Sequence, residues 1–327
     1  MTAYSLLELA RVTQDSDAGT ALNNARDVAF HAEQWGYTRV WVAEHHNMAG
    51  IASAATSIVV GHIAGGTSTI RVGAGGIMLP NHAPYIIAEQ FGTLERLYPG
   101  RIDLGLGRAP GTDQTAVQAM RRPPNASEYF PQDVLELQAF LAPAESGQRI
   151  VAVPAAGTSV PLWILGSSTF GAALAADLGL PYAFASHFSP DLLLPALELY
   201  RSRFTPSKQL DRPYTMAGIN VIAADTDADA TRLATTQQMS FVDIFSGRRG
   251  PSKPPIDDIE GYWTPTERAQ ATRMLQRSVI GSVPVVRSGL QAFIQETGVD
   301  ELMIVSDVYE HALRLRSIEL IAEAMKR

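Results

Sequence analysis

Short apolar runs alternate along the chain with longer stretches in which apolar residues recur every three to four positions. Tyr4–Leu9, Thr38–Ala43, Ile70–Gly76, Arg101–Arg108, Pro161–Gly166, Pro181–Ser186, Tyr214–Ala224 and Asp300–Ser306 form the first set. They are apolar with little alternation, which predicts parallel strands buried on both faces. Ala18–Gly36 opens the second set, with Ala21, Leu22, Ala25, Val28, Ala29 and Ala32 on one helical stripe and Gly36 as the stop. Similar stripes cover Ile51–Ala64, Pro84–Leu97, Pro131–Leu141, Thr169–Leu178, Pro190–Phe204 and Val308–Met325.

Strand–helix alternation suits either an open doubly wound sheet or a closed barrel. An open dinucleotide-binding sheet carries a glycine-rich turn after its first strand, whereas Ala10–Asp17 contains no glycine. The reading is therefore α/β, a (β/α)8 TIM barrel. Its 327 residues exceed the roughly 250 of a bare barrel, so insertions carry the surplus. The clearest is Ser246–Thr266, rich in Pro, Gly and charge, between strands seven and eight; Ala109–Pro131 is a second.

Composition narrows the function. Hydrophobic residues at 46% and charged ones at 18% support a sizeable core. A net charge of −7 argues against nucleic-acid and anionic-membrane partners. The absence of cysteine excludes disulfides, thiolate metal sites and cysteine nucleophiles. No run reaches the length of a membrane span and Met1–Arg11 lacks the features of a signal peptide, so a soluble, cytoplasmic protein is expected.

Active sites of such barrels form at the C-terminal ends of the strands. His45, His46, His82 and His187 fall at predicted strand exits, whereas His31, His62 and His311 fall in helical stretches. For each exit histidine alone a structural role weighs as much as a catalytic one; together they imply a pocket with groups that titrate near neutral pH. A metal centre is not expected. Strand one has no histidine, and His45 and His46 are adjacent, so their side chains diverge; only Asp307 fits that pattern. Gly73, Gly75 and Gly76 end strand three, and Gly105 and Gly107 lie in strand four. Tight packing or a bulge accounts for some of them, while a flat ligand laid across Gly75–Gly76 accounts for the run. Gly166–Ser167–Ser168–Thr169 leads from strand five into a helix, which reads either as simple capping or, with Arg108 nearby, as a phosphate site.

The runs Trp41–Asn47, Val72–Pro80, Asn81–Pro84, Ala88–Leu94, Pro99–Asp113, Leu165–Thr169 and Gly298–Ser306 resemble the bacterial luciferase-like flavin monooxygenases, across nearly the whole chain. The resemblance implies a single barrel domain over residues 1–327, with an insertion after strand seven and the stretch about 246–266 as a lid. It implies reduced FMN as cosubstrate, supplied by a separate NAD(P)H-dependent flavin reductase, and a homodimer joined through the early helices. Oxygen is then activated as a flavin C4a-hydroperoxide and inserted into a small organic substrate, an aldehyde in the luciferases. The family's Glu–His pair falls on Glu44 and His45, with His45 as catalytic acid/base. Its non-proline cis peptide beneath the flavin ring falls on Gly75–Gly76. Its phosphate residues fall on Arg108, Gly166, Ser167 and Ser168, and its strand-six exit on Ser186 and His187.

There are departures. Gly107 stands where the luciferase subunit has a reactive cysteine, Ser167 replaces an acidic residue, and a second phosphate arginine has only Arg121 or Arg122 as counterparts. They point to a non-luminescent member. An oxidoreductase of the same barrel type using the deazaflavin F420, and a non-catalytic flavin-binding protein, are the alternatives.

Overall fold

The computed structural model describes residues 2–248 and 250–326. Nine parallel strands are present among them: β1 (Ala3–Glu8), β2 (Arg39–Val42), β3 (Arg71–Met78), β4 (Ile102–Gly107), β5 (Leu162–Gly166), β6 (Tyr182–Phe184), β7 (Thr215–Ala223), β8 (Val279–Gly281) and β9 (Glu301–Val305). Eight of them close a ring in the order β1-β2-β3-β4-β5-β6-β7-β9, with β9 returning to β1. This is the predicted barrel, and the insertion does lie between its seventh and eighth staves. The short β8 is an addition. It pairs with Val221–Ala223 of β7, just beyond Asn220, where β9 stops pairing.

Among the described residues eleven α-helices surround the ring: α1 (Ala18–Trp35), α2 (Thr56–Ala64), α3 (Pro84–Leu97), α4 (Gln114–Ala119), α5 (Phe130–Leu141), α6 (Thr169–Leu178), α7 (Leu193–Arg203), α8 (Asp227–Ser246), α9 (Pro265–Met274), α10 (Val283–Thr297) and α11 (His311–Met325). The periodicity placed α3 and α6 to the residue; α2 starts five residues later than expected, after a loop from Ile51. The expected insertion, Ser246–Thr266, is flanked between β7 and β9 by further regular structure: α8 before it and α9, β8 and α10 after it. Of the run 246–266, the described residues form a loop that ends at a capping box, with Thr264 and Glu267 opening α9. Residue 249 of that run lies outside the described residues.

Inside the ring, Leu7, Trp41, Trp163, Met216 and Met303 pack as one layer. Beneath it, at the N-terminal ends of the strands, sits a buried ionic plug. Arg39 donates to Asp103 Oδ2 at 2.6 Å and to Glu301 Oε1 at 2.8 Å, and Arg71 pairs with the same Asp103. Tyr214 and Ser5 donate to Glu301, and Trp41 Nε1 to Asp103. The Arg39 guanidinium also lies 4.8 Å from the Trp163 ring centroid. Burial works against the Arg39 charge, but the two carboxylates more than offset it and raise its pKa. The closed end of the barrel is thus filled, and the open end carries the cavity.

Candidate active site at the open end of the barrel

Nearly all the predicted site residues converge on one cavity of about 530 Å3, well within the range of cofactor and substrate pockets. His45, Gly75, Gly76, Arg108, Gly166, Ser167, Ser168 and His187 all line it. Glu44 and Ser186 do not. Both are buried behind the wall, where the Ser186 hydroxyl donates to the Gly218 carbonyl at 2.6 Å.

The floor is built from glycine. The Gly75–Gly76 peptide is cis, and the β3–β4 register shifts between Gly75 and Ile77. A Cβ on Gly76 would lie 2.7 Å from the Gly105 carbonyl oxygen, and one on Gly75 2.8 Å from the Trp41 side chain. The expectation that a flat ligand is what excludes Cβ here is therefore corrected. The barrel's own packing already forbids it, and the bare backbone facing the cavity follows.

Glu44 holds this floor from below. Its carboxylate accepts from the backbone N–H of Met78 (3.1 Å), from Asn81 Nδ2 (3.2 Å), from His46 Nε2 (2.8 Å) and from His82 Nε2 (2.9 Å). Its own N–H donates to the Gly76 carbonyl. Burial alone would raise its pKa, but the hydrogen bonds from His46, His82 and Asn81 outweigh burial and bring it down to about 2. An ionised carboxylate only accepts, so both imidazoles present N–H to it. The three side chains also place potential metal-ligating atoms within 4.8 Å of one another, but four donors already occupy this carboxylate. The arrangement is a hydrogen-bonded clamp that ties the exits of β2 and β3 together.

The clamp has a measurable consequence. Glu44 is lowered in the folded chain relative to an ordinary glutamate, so its stabilisation is present above about pH 4.5 and is lost as pH falls toward 2. The shift corresponds to on the order of 3 kcal/mol. Thermal midpoints measured across that window should fall steeply, and Glu44→Gln should flatten the fall; an unchanged acid limb in the variant would show that the clamp contributes nothing.

At the other side of the floor lies an anion-ready corner. The Arg108 guanidinium sits 4.0 Å over the Phe170 ring, and no described carboxylate pairs with it. Ser168 is the N-cap of α6, with extended backbone, yet its side chain makes no capping hydrogen bond. Tyr182 Oη donates to the Ser168 carbonyl at 3.0 Å and holds the loop. The first N–H groups of α6, two serine hydroxyls and a stacked guanidinium therefore surround one corner of the cavity. Simple capping, the bland reading of Ser167–Ser168, is not what Ser168 does. Arg121 and Arg122 are not part of this corner; Arg122 donates to the carbonyls of Pro80 and His82 instead.

His187 and His45 both line the cavity, near enough to each other to interact electrostatically. Burial first, and then the neighbouring His45, push the His187 pKa down to about 4, so it is neutral at physiological pH. Gly218 makes room for it: a Cβ there would lie 2.1 Å from His187 Nδ1.

Several wall residues were not anticipated. Asn220 on β7 and Gln237, Met239, Phe241 and Asp243 on α8 supply the side away from the serine corner. Lys253 reaches back from the insertion to Asp243 at 2.6 Å, and Tyr262 donates to Asp243 at 2.7 Å. Tyr262 and Trp263, within the 246–266 stretch, pack on Phe241, Val242 and Ala271. Asp307, the feature that fitted a metal pattern, pairs with Arg11 at 3.1 Å.

Comparison with known proteins identifies the family. The family model for luciferase-like monooxygenase matches residues 2–317. The chain belongs to that family. It is 51% identical to the Bacillus subtilis (strain 168) protein YvbT, covering 99% of this chain and 97% of that one. It is 49% identical to a luciferase-like monooxygenase of Escherichia coli (strain K12), over 97% and 95% of the two chains. Among solved structures, apo-MsnO8 superposes with a TM-score of 0.91 at 34% identity, covering 99% and 98%. In this luciferase-like monooxygenase the unanticipated wall on β7 and α8 lies outside the runs that carry the resemblance. Among the described residues no helix is long and apolar enough to cross a membrane.

Proposed function

We propose that this chain is a flavin-dependent monooxygenase that uses reduced FMN and molecular oxygen to oxygenate a small organic substrate. The observation that carries the proposal is the single cavity in which a side-chain-free floor, an unpaired arginine and an uncapped helix start lie together with an imidazole pair. Those residues fit the group. Gly75 and Gly76 would lie under a planar ring, while Arg108, Ser167, Ser168 and the first turn of α6 would hold a phosphate, with Gly166 giving close backbone approach. Reduced flavin supplies the electrons that activate oxygen.

The residues of the chain do the rest. Glu44 keeps the floor in place from behind the wall. His45 holds and moves a proton at the reacting group. His187, neutral at working pH, adds no positive charge beside it. The apolar wall of Leu7, Met239, Phe241 and Met303 excludes water. The stretch around 246–266 acts as a lid, and residues 1–327 work as one domain. A separate NAD(P)H-dependent flavin reductase supplies the reduced cofactor, and the cytoplasmic enzyme works as a homodimer.

The test is a titration of the purified chain with FMN and, in parallel, with F420, followed by mixing the complex with reduced FMN and oxygen. FMN should bind in preference to F420, and a transient absorbance distinct from oxidised FMN should appear. Preference for F420 would favour the deazaflavin alternative. FMN binding without reductase-driven oxygen consumption would leave only a flavin carrier.

A further inference from the structure

The half of the cavity away from the serine corner contains charges that are already used by one another. Lys253 is bonded to Asp243 and Tyr262, Arg11 to Asp307, and the Ser240 hydroxyl donates to the Thr236 carbonyl. Among the uncharged groups there, Gln237 stands out. It is only 2% exposed, it lines the cavity, and its Oε1 accepts no hydrogen bond from any described residue.

The orientation of that amide follows from a relay. The chain starts at the His187 backbone carbonyl, which can only accept. Asn220 must therefore turn its NH2 toward it, and Nδ2 donates at 2.7 Å. This turns Asn220 Oδ1 toward Gln237, which must answer with its own NH2, and Nε2 donates at 2.9 Å. Each amide is fixed by the one before it, and the last oxygen, Gln237 Oε1, is left to the cavity. That oxygen is open to the cavity, where water can reach it; a bound molecule that displaces the water must supply a donor or leave the acceptor unpaired, at a cost comparable to a lost hydrogen bond.

We propose that Gln237, oriented through Asn220 and the His187 carbonyl, is a specificity-determining acceptor, and that the site selects small apolar substrates carrying an O–H or N–H group. This deepens the monooxygenase reading and rests on it for the identity of the site. It moves the substrate class away from a bare aldehyde, which offers an acceptor only, toward an alcohol, phenol, amine or amide attached to an apolar body. The uncharged character follows from the paired ions on the wall: neither Lys253 nor Arg11 is left to neutralise a substrate anion.

The test compares probes that differ in the donor. Full-length protein saturated with FMN is titrated by calorimetry with benzyl alcohol, benzyl methyl ether and benzaldehyde. The last two accept only, one being larger and one smaller than the alcohol. The alcohol should bind about 5–10-fold more tightly than either, the range expected for one hydrogen bond to a buried acceptor. In Gln237→Leu the preference should fall to within about twofold, with FMN affinity unchanged. Gln237→Met, which keeps the length of the side chain but removes the amide, should lose the preference in the same way. Equal binding of the three probes by the wild-type protein, including failure of all three to bind, overturns the proposal. So does a preference that survives Gln237→Leu. Failure of the flavin reading is seen separately, as absence of FMN binding before any probe is added.

Discussion

Replacing His45 with alanine should lower oxygenation turnover by about 10²–10⁴-fold, the contribution expected of a positioned general acid or base, while the Kd for FMN changes by no more than a few-fold. The imidazole lines the cavity from beyond the end of β2, whereas Arg108 and Ser168 follow β4 and β5 and would hold the phosphate, so binding and chemistry should separate. Single-turnover mixing of the FMN-loaded protein with oxygen, beside a binding titration, reads the two quantities independently. Full retention of turnover would reject the role. The pH profile adds a second check. His187 is neutral above about pH 4, so a limb near neutral pH that disappears in His45→Ala is not a property of His187.

Arg108→Ala should weaken FMN binding by about 10–100-fold, the scale of one charge-assisted contact to phosphate. Riboflavin, which has no phosphate, provides the control. The wild-type chain should prefer FMN to riboflavin, and the variant should lose most of that preference while its riboflavin affinity stays within about twofold. The reasoning is geometric: the guanidinium is held flat on Phe170 at 4.0 Å, which orients its N–H edge without consuming it. If the variant still discriminates the two flavins as the parent does, the anion corner lies elsewhere.

The barrel staves were readable because strands buried on both faces leave continuous apolar runs, and the helices ending at Gly36 and Gly179 carry left-handed caps. β8 was not readable. It has three residues, is only half-buried over two of them, and pairs with β7 outside the ring, so it lacks the apolar run of a stave. The cavity residues His45, Arg108 and Ser168 were legible because they sit at strand exits in recognisable runs. Glu44 was carried into the flavin set although its side chain points behind the wall. Residue parity held the missing signal: if His45 and His46 diverge, Glu44 shares its side with His46. Gln237 and Asn220 had no such signal. A glutamine followed by Gln238 in a helix with several Thr and Asp residues reads as surface, and only the tertiary relay to the His187 carbonyl gives it a role.

The ionic plug around Arg39 shapes traffic as well as stability. With Asp103, Glu301, Arg71 and Tyr214 knotted across the bottom of the ring, the barrel is a blind well rather than a tunnel. Whatever enters must leave by the same doorway, so a molecule lodged near the mouth blocks exchange of anything seated deeper. Arrival and departure are then forced into a sequence, last in and first out.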